Sequence, residues 1–350
     1  HNVVLATGGF GYDFDGKKSL ITSLRPDLSD FATTNGPWAT GDGQKMAMEL
    51  GAKTIDMSSV QVHPTGFVDP KHPDAKQKTL CAELLRGVGA VLLNSEGERF
   101  ANELGTRDYI AKRMSEEARD AGLEDLHFHL MLNADSAAEA DKHVPLYVAK
   151  GLLRRHESLE DASKAMNISL DVLLSTLSDY NKAARKGIDE FGKTDFAHTP
   201  WPDPSGPVYL GTVTPVVHYC MGGLETDEKG LVMSEGGAPV AQGLYAVGEL
   251  MGGVHGSNRL GGNALTECAV FGRSVGMNLP IRSKRSEEQR AAVKDTVSGG
   301  GGEEETKPKL RAISREELEA HQSEDDVWVA IHGLVYDFTD FAEDHPGGGE

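Results

Sequence analysis

The sequence reads as an α/β chain in more than one folding unit, and three observations carry that reading. An unbroken apolar run from Val3 to Ala6 enters a glycine turn, the pattern of a fully buried strand in the middle of an α/β domain. Helical spacing of apolar residues then alternates with short strand-like runs along the chain. Last, Ser298 to Lys309, SGGGGEEETKPK, offers glycines and like charges with almost nothing to bury, so it reads as a linker to a separate module.

In chain order, Asp42 to Gly51 and Asp108 to Ala121 have helical apolar spacing, while Gly89 to Leu93 and Leu244 to Val247 read as short strands closed by turns. Residues 158 to 186 are mainly helical, with Leu170, Val172, Leu173, Leu177 and Tyr180 on one apolar face turned to a core. No internal repeat is present. No initiator Met precedes the first strand, and DHPGGGE stops on a Pro-Gly turn signal, so the expectation is a fragment cut at both ends.

Composition narrows the class. The chain has 350 residues, 39% of them apolar, enough for a large core and two or three domains. A net charge of −19 argues against a nucleic-acid partner, and no apolar run is long enough to span a bilayer. The last fifty residues hold fourteen Asp and Glu against four Lys and Arg, so about half the excess charge sits on the linker and tail. Cys81, Cys220 and Cys268 are far apart and odd in number; they read as small buried residues in an intracellular, reducing compartment.

Chemistry concentrates in glycine-rich and proline-containing segments. GGVHGSNRLGGNALTECAVFGR, Gly252 to Arg273, sets Arg259 in a loop of small residues that can pass close to a ligand, and opens a helix from Ala264. In QVHPTG, Gln61 and His63 precede a proline expected to fix a turn. In AELLRGVG, Glu83 and Arg86 share a helical face, as a structural ion pair or a proton relay. In NELGTRDY, Asp108 is placed to cap a helix while Arg107 projects inward. In TPVVHYCMGG, His218 ends an apolar strand before a second close-approach loop. Each alone has an ordinary structural explanation.

Together, LATGGF, TGDG, QVHPTG, ELLRG, LLNSEGERFANE, TRD, HYCMGG, LYAVGE and GGVHGSNRLGGNAL, in this order over roughly residues 1 to 283, resemble the flavocytochrome c and soluble fumarate reductase family, related to the succinate dehydrogenase flavoprotein. The resemblance implies an FAD-binding, Rossmann-like domain interrupted by an α+β capping domain. Residues 1–60 and 218–283 would be parts of the FAD domain, 61–217 the cap and 284–309 the linker. It also implies reduction of fumarate to succinate by hydride transfer from flavin N5 and a proton from Arg107, with Glu83 and Arg86 as its relay. His63, His218 and Arg259 would grip the substrate carboxylates and Gln61 would line the pocket. The chemistry agrees, since a dicarboxylate needs several fixed donors and the same groups stabilise the charge that develops as it is reduced. Because the free pKa of arginine is above about 12, it can act as an acid only where a neighbouring carboxylate restores its proton.

For the flavin, the resemblance places Thr7, Gly8 and Gly9 near the pyrophosphate, Asp42 and Glu249 on ribose or polyol hydroxyls, and Asn263, Ala264 and Leu265 at a helix start beside the isoalloxazine, where a helix N-terminus favours the anionic reduced ring. The chain departs from the pattern in two ways. No G-x-G-x-x-G occurs, which puts the dinucleotide fingerprint, and any covalent attachment histidine, upstream of His1. Ala82 stands where some relatives have Thr before the relay glutamate, which leaves the substrate open among unsaturated dicarboxylates.

After the linker, residues 310–350 resemble the first half of an α+β cytochrome b5 haem domain. VWVAIHGLVYDFTDF reads as a hairpin turning at His332-Gly333, followed by a short helix that ends at HPGG. By resemblance His345 is one axial ligand of haem b and the second lies beyond Glu350. The electron donor stays open among reduced flavin, NADH through a reductase, and the haem. The cytoplasm, mitochondrion and endoplasmic reticulum all fit, and the oligomeric state is open. The rival readings are a reductase or oxidase of another unsaturated or amino dicarboxylate, a succinate dehydrogenase subunit, and a non-catalytic electron-transfer protein.

Overall fold

The computed structural model describes residues 2–123, 126–201, 206–279, 313–323, 326–331 and 334–337. The chain divides into two units, residues 1–282 and 283–350. The described strands of the first are β1 (Val3–Leu5), β2 (Ala32–Thr33), β3 (Thr54–Ile55), β4 (Val60–Phe67), β5 (Thr79–Leu80), β6 (Val91–Leu93), β7 (Phe128–Asn133), β8 (Arg154–His156), β9 (Val208–Cys220), β10 (Gly223–Leu224) and β11 (Leu244–Ala246). Its described helices are α1 (Leu20–Leu24), α2 (Asp42–Glu49), α3 (Leu84–Gly87), α4 (Arg107–Asp120), α5 (Ala134–Glu139), α6 (His143–Ala149), α7 (Leu159–Met166), α8 (Leu170–Lys186) and α9 (Asn263–Asn278).

The largest sheet has seven strands in the order β5-β4-β9-β7-β6, with β2 and β8 also on β9. The Val- and Thr-rich β9 is long enough to pair with four neighbours, and all its pairings are antiparallel except that with β2. Alternation along the strands builds a core on each face. Leu92, Leu130 and Leu132 join Ile110 and Met114 of α4 and Val144 and Tyr147 of α6, whereas Val91, Leu93 and Met131 join Leu159 of α7 and Leu173, Leu177 and Tyr180 of α8. Each fully buried Leu, Ile or Met contributes about 1.5–3 kcal/mol. Ser158 caps α7 by accepting from the Asp161 amide at 3.2 Å, and Asn167 (φ 57°) and Gly187 (φ 81°) end α7 and α8 in left-handed turns.

Several expectations need correction. β1 exists and pairs in parallel with β11, but Val3 is 52% exposed, because β11 is the only neighbour that β1 has among the described residues. Asp108 does not cap α4: Thr106 occupies the N-cap position and Arg107 is the first helical residue, so Asp108 favours the helix only through the dipole of its first turn. Pro64 makes no turn. It lies within β4 where the register against β9 slips by one residue, a bulge that accommodates its missing N–H. Val172 is half-buried and outside the core of α8, lining a surface cleft with Thr176 and Ile188. Cys81 and Cys220 are buried, but Cys268 is exposed on α9, a helix whose described faces bury only Glu267 and Val275.

In the second unit, α10 (Arg315–Ala320) is capped by Ser314, which accepts from the Glu317 amide at 3.1 Å. The strands β12 (Gln322–Ser323), β13 (Asp326–Ile331) and β14 (Leu334–Asp337) form an antiparallel sheet. Ile331 pairs with Leu334, the register that a two-residue turn at 332–333 demands. Ser298 to Lys309, expected to be a linker, His332 and Gly333, expected to form the hairpin turn, and the expected haem ligand His345 lie outside the described residues.

Candidate active site

The two register slips between β4 and β9 build the centre of the site. Gln61 pairs with Tyr219 and Val62 with Val217, so His218 is the extra residue on β9, and its side chain is set free of the ladder alternation. The second slip, between His63 and Gly66, adds the residue on β4. As a result His63 and His218 face each other with ring centroids 5.2 Å apart. Thr34 Oγ1 lies 2.7 Å from His218 Nδ1, and the Thr65 amide donates to His63 Nδ1 at 3.2 Å, which leaves His63 Nε2 buried with no partner.

Three arginines converge on the histidines. From the first turn of α4, Arg107 donates to Gln61 Oε1 at 2.9 Å and to Glu83 Oε2 at 2.8 Å. Arg86 on α3 donates to Glu83 Oε1 at 3.2 Å and to the Glu103 carbonyl at 2.5 Å. Arg259, from the glycine loop, donates to the same Gln61 Oε1 at 3.3 Å. Gln61 is fixed from its other end by donating to Asn258 Oδ1 and to the Arg259 carbonyl. All three guanidinium groups are buried, whereas the Glu83 side chain is 42% exposed and is thus the member of the group in reach of water. The glycine loop presses on this pair: a Cβ at Gly261 would lie 2.8 Å from Glu83 Oε2 and 3.3 Å from Arg107 Nη2. A cleft of about 490 Å³, with Val62, Asp108 and Ser257 in its wall, opens beside Gln61.

The electrostatics follow from crowding like charges in a dry place. Burial, then the charges of Arg107 and Arg259, push the His218 imidazole down to about 3; burial and the neighbouring His218, Arg107 and Arg86 hold His63 well below its ordinary value too. Both rings are therefore neutral at ordinary pH. Burial and the nearby Arg107 also lower Arg259. Burial alone raises the Glu83 carboxyl, yet the hydrogen bonds and charges of Arg107 and Arg86 outweigh it and leave Glu83 below its ordinary value. The cluster is a cationic, neutral-imidazole pocket suited to an anion with two acidic ends.

The residues expected near a flavin fall into two groups. A Cβ on Gly9 would sit 2.4 Å from Glu249 Oε1 and one on Gly43 would sit 2.2 Å from Thr7 Oγ1, so Thr7, Gly9, α2 and Glu249 pack as one patch. Gln44 Nε2 donates to the Gly8 carbonyl, and Gly8 takes φ 74° with open space where a side chain would stand. Asp42, in contrast, is exposed, and among the described residues its side chain is bonded only by Thr40 Oγ1, at 2.9 Å. Glu249 accepts from the Cys220 amide at 2.8 Å, and burial pushes its carboxyl up to about 7. Asn263 opens the sixteen-residue α9 behind Gly262 (φ 80°), with no side chain capping its first amides; Ala264 is half-buried and Leu265 is 81% exposed. Open glycine backbone beside an uncapped helix N-terminus fits a flat, anionic cofactor.

Sequence reasoning missed a second layer. The Tyr219 ring lies 4.2 Å from the Arg259 guanidinium carbon, and its hydroxyl donates to Glu267, which also takes His255 Nε2 at 2.9 Å. The available signal was an acidic residue inside the apolar helix that follows Asn263, a place where an unpartnered carboxylate is costly.

The FAD binding domain family matches residues 1–265, and the cytochrome b5-like heme/steroid binding domain matches residues 314–350. The chain is 46% identical over 275 residues to the fumarate reductase of Schizosaccharomyces pombe, covering 78% of this chain and 52% of that protein. Against fumarate reductase 1 of Saccharomyces cerevisiae it is 38% identical over 280 residues, 79% of this chain and 58% of that one. The solved open conformation of a flavocytochrome c3 fumarate reductase superposes with a TM-score of 0.62 at 35% identity, covering 79% of this chain and 46% of that structure. The chain thus spans just over half the length of these curated relatives. With its glycine cradle, uncapped helix start and matching fold, the chain belongs to the FAD binding domain family and carries a cytochrome b5-like segment after it.

Proposed function

We propose that this chain is the catalytic part of an FAD-dependent fumarate reductase, in which residues 61–217 cap a flavin part formed by 1–60 and 218–283. The observation that carries the reading is the Glu83–Arg107–Gln61–Arg259 hydrogen-bonded series, which sets a carboxylate-backed arginine beside a second arginine and two neutral imidazoles. The names of the relatives, which are fumarate reductases, support the substrate.

Thr7, Gly8, Gly9, Glu249 and the start of α9 would hold FAD, with the exposed Asp42 free to meet a hydroxyl. When bound and reduced, FAD would supply a hydride for one alkene carbon of fumarate. Arg259, His63 and His218 hold the two carboxylates, the imidazoles as neutral donors. Arg107 gives a proton to the other alkene carbon, which completes succinate, and Glu83 returns a proton to Arg107 from water. Arg86 keeps the Glu83 carboxylate aimed at Arg107 through its 3.2 Å bond. Excluding water from this cluster strengthens each interaction in it. In the intact protein, the b5-like segment with His345 as a haem ligand would exchange single electrons with the flavin.

The test is anaerobic turnover by the full-length protein with reduced viologen as donor. Fumarate-dependent dye oxidation supports the reading. Dye oxidation with a different unsaturated acid but not with fumarate, in protein that contains flavin, overturns the substrate.

A further inference from the structure

Arg259 is buried next to another buried cation, Arg107; both donate to the neutral Gln61 Oε1, but Arg107 also has the Glu83 carboxylate, whereas Arg259 otherwise donates to the Leu260 carbonyl. Before an anionic substrate arrives, Arg259 needs another source of negative potential, and the structure has one behind it. The Tyr219 π face lies 4.2 Å from the guanidinium carbon, the Tyr219 hydroxyl donates to Glu267, and the Glu267 side chain is buried with its Oε1 free of any hydrogen bond. His255 Nε2, 2.9 Å from Glu267 Oε2, holds the carboxylate in place, and its ring packs edge-on to Tyr219 at 5.7 Å. A phenol bonded to a carboxylate carries a more electron-rich ring, which strengthens its attraction for a cation.

We propose that Tyr219, held by Glu267 and His255, is a positioning residue that keeps the Arg259 guanidinium oriented for a substrate carboxylate. This rests on the reading that Arg259 grips a dicarboxylate. Tyr219 touches no reacting atom, so its effect falls on binding and passes through Arg259.

The experiment measures the Kd of malonate, an unreactive dicarboxylate, by calorimetry on the full-length flavin-loaded protein, with the variants Tyr219→Leu, Tyr219→Phe, Arg259→Met and Tyr219→Leu/Arg259→Met. Loss of the ring should weaken malonate about three- to thirtyfold. Tyr219→Phe, which keeps the ring and the fold but loses the Glu267 bond, should weaken it less, and the KM for fumarate should rise in step while kcat changes little. In the Arg259→Met background, Tyr219→Leu should add nothing further. If Tyr219→Leu leaves Kd unchanged, or weakens it by the same factor with and without Arg259, the positioning role is overturned although Arg259→Met still weakens binding. If the parent protein binds no malonate, the dicarboxylate reading itself fails, and this inference with it.

Discussion

Glu83 Oε2 stands 2.8 Å from Arg107 Nη2, and Gly261 leaves just enough room for that pair: a methyl group at this glycine would meet Glu83 Oε2 at 2.8 Å. The atom it strikes is the end of a flexible, 42% exposed side chain, so the fold can yield at small cost while the pair cannot keep its geometry. Gly261→Ala should lower kcat about tenfold or more if Arg107 depends on Glu83 for its proton. Thermal stability should fall by less than about 1 kcal/mol, as for an ordinary surface change. Steady-state kinetics beside a thermal melt separates the two effects.

Glu83→Gln keeps the shape and a hydrogen bond to Arg107 but cannot carry the returning proton. The expected loss in kcat is about a hundredfold or more, with the KM for fumarate within a few fold, because Glu83 contacts arginines rather than the bound acid. A change confined to KM would place Glu83 in substrate binding instead.

The two site histidines set an acid limit to stability. Their folded pKa values lie below the ordinary 6.5, about 3 for His218, so below pH 6.5 the unfolded chain takes up protons that the folded chain refuses. This contribution costs nothing above pH 6.5 and destabilises progressively from there down toward pH 3. Urea unfolding at pH 7.5 and pH 5 should show the loss, and His218→Asn should recover part of it at pH 5 only. The same depression keeps both rings neutral during turnover, so the KM for fumarate should not titrate near pH 6.5.

Glu103 anchors a buried ion cluster within the first unit. It accepts from Arg99 at 2.7 and 2.8 Å and from Lys193 at 3.0 Å, and Arg99 also reaches Asp189 at 2.9 Å. Removing the central carboxylate strands the buried Lys193 and leaves the buried Arg99 with Asp189 alone. Glu103→Ala should cost about 3–5 kcal/mol in urea unfolding, whereas a joint replacement of Glu103, Arg99, Lys193 and Asp189 by apolar residues of like volume should cost far less.

Much of this was legible in the sequence, and what was missed shares one cause. Helices such as α2 and α8 follow from apolar spacing, and the Ile331–Leu334 pairing matches the hairpin read from the sequence of the tail. Gln61, His63, Glu83, Arg86, Arg107, His218 and Arg259 were each recognisable by segment, and the structure brings them together in one cluster. The turn assigned to Pro64 was wrong because a bulge depends on the partner strand, which local sequence does not contain. Tyr219 and Glu267 escaped for the same reason: 48 residues apart in sequence, they meet only because α9 returns to the end of β9. Val3 and Val4 looked core-bound from the unbroken apolar run they open, but burial depends on what covers a strand, and only β11 lies beside them among the described residues.

The most direct test of the central claim compares the full-length protein with its Arg107→Ala variant, normalised to bound flavin, in anaerobic fumarate-dependent oxidation of reduced viologen. With Arg107 as the proton donor, the variant should keep its flavin and lose activity by about a hundredfold to ten-thousandfold, the range for removal of a general acid. Activity within a few fold of the parent would contradict the account and assign the proton to another group.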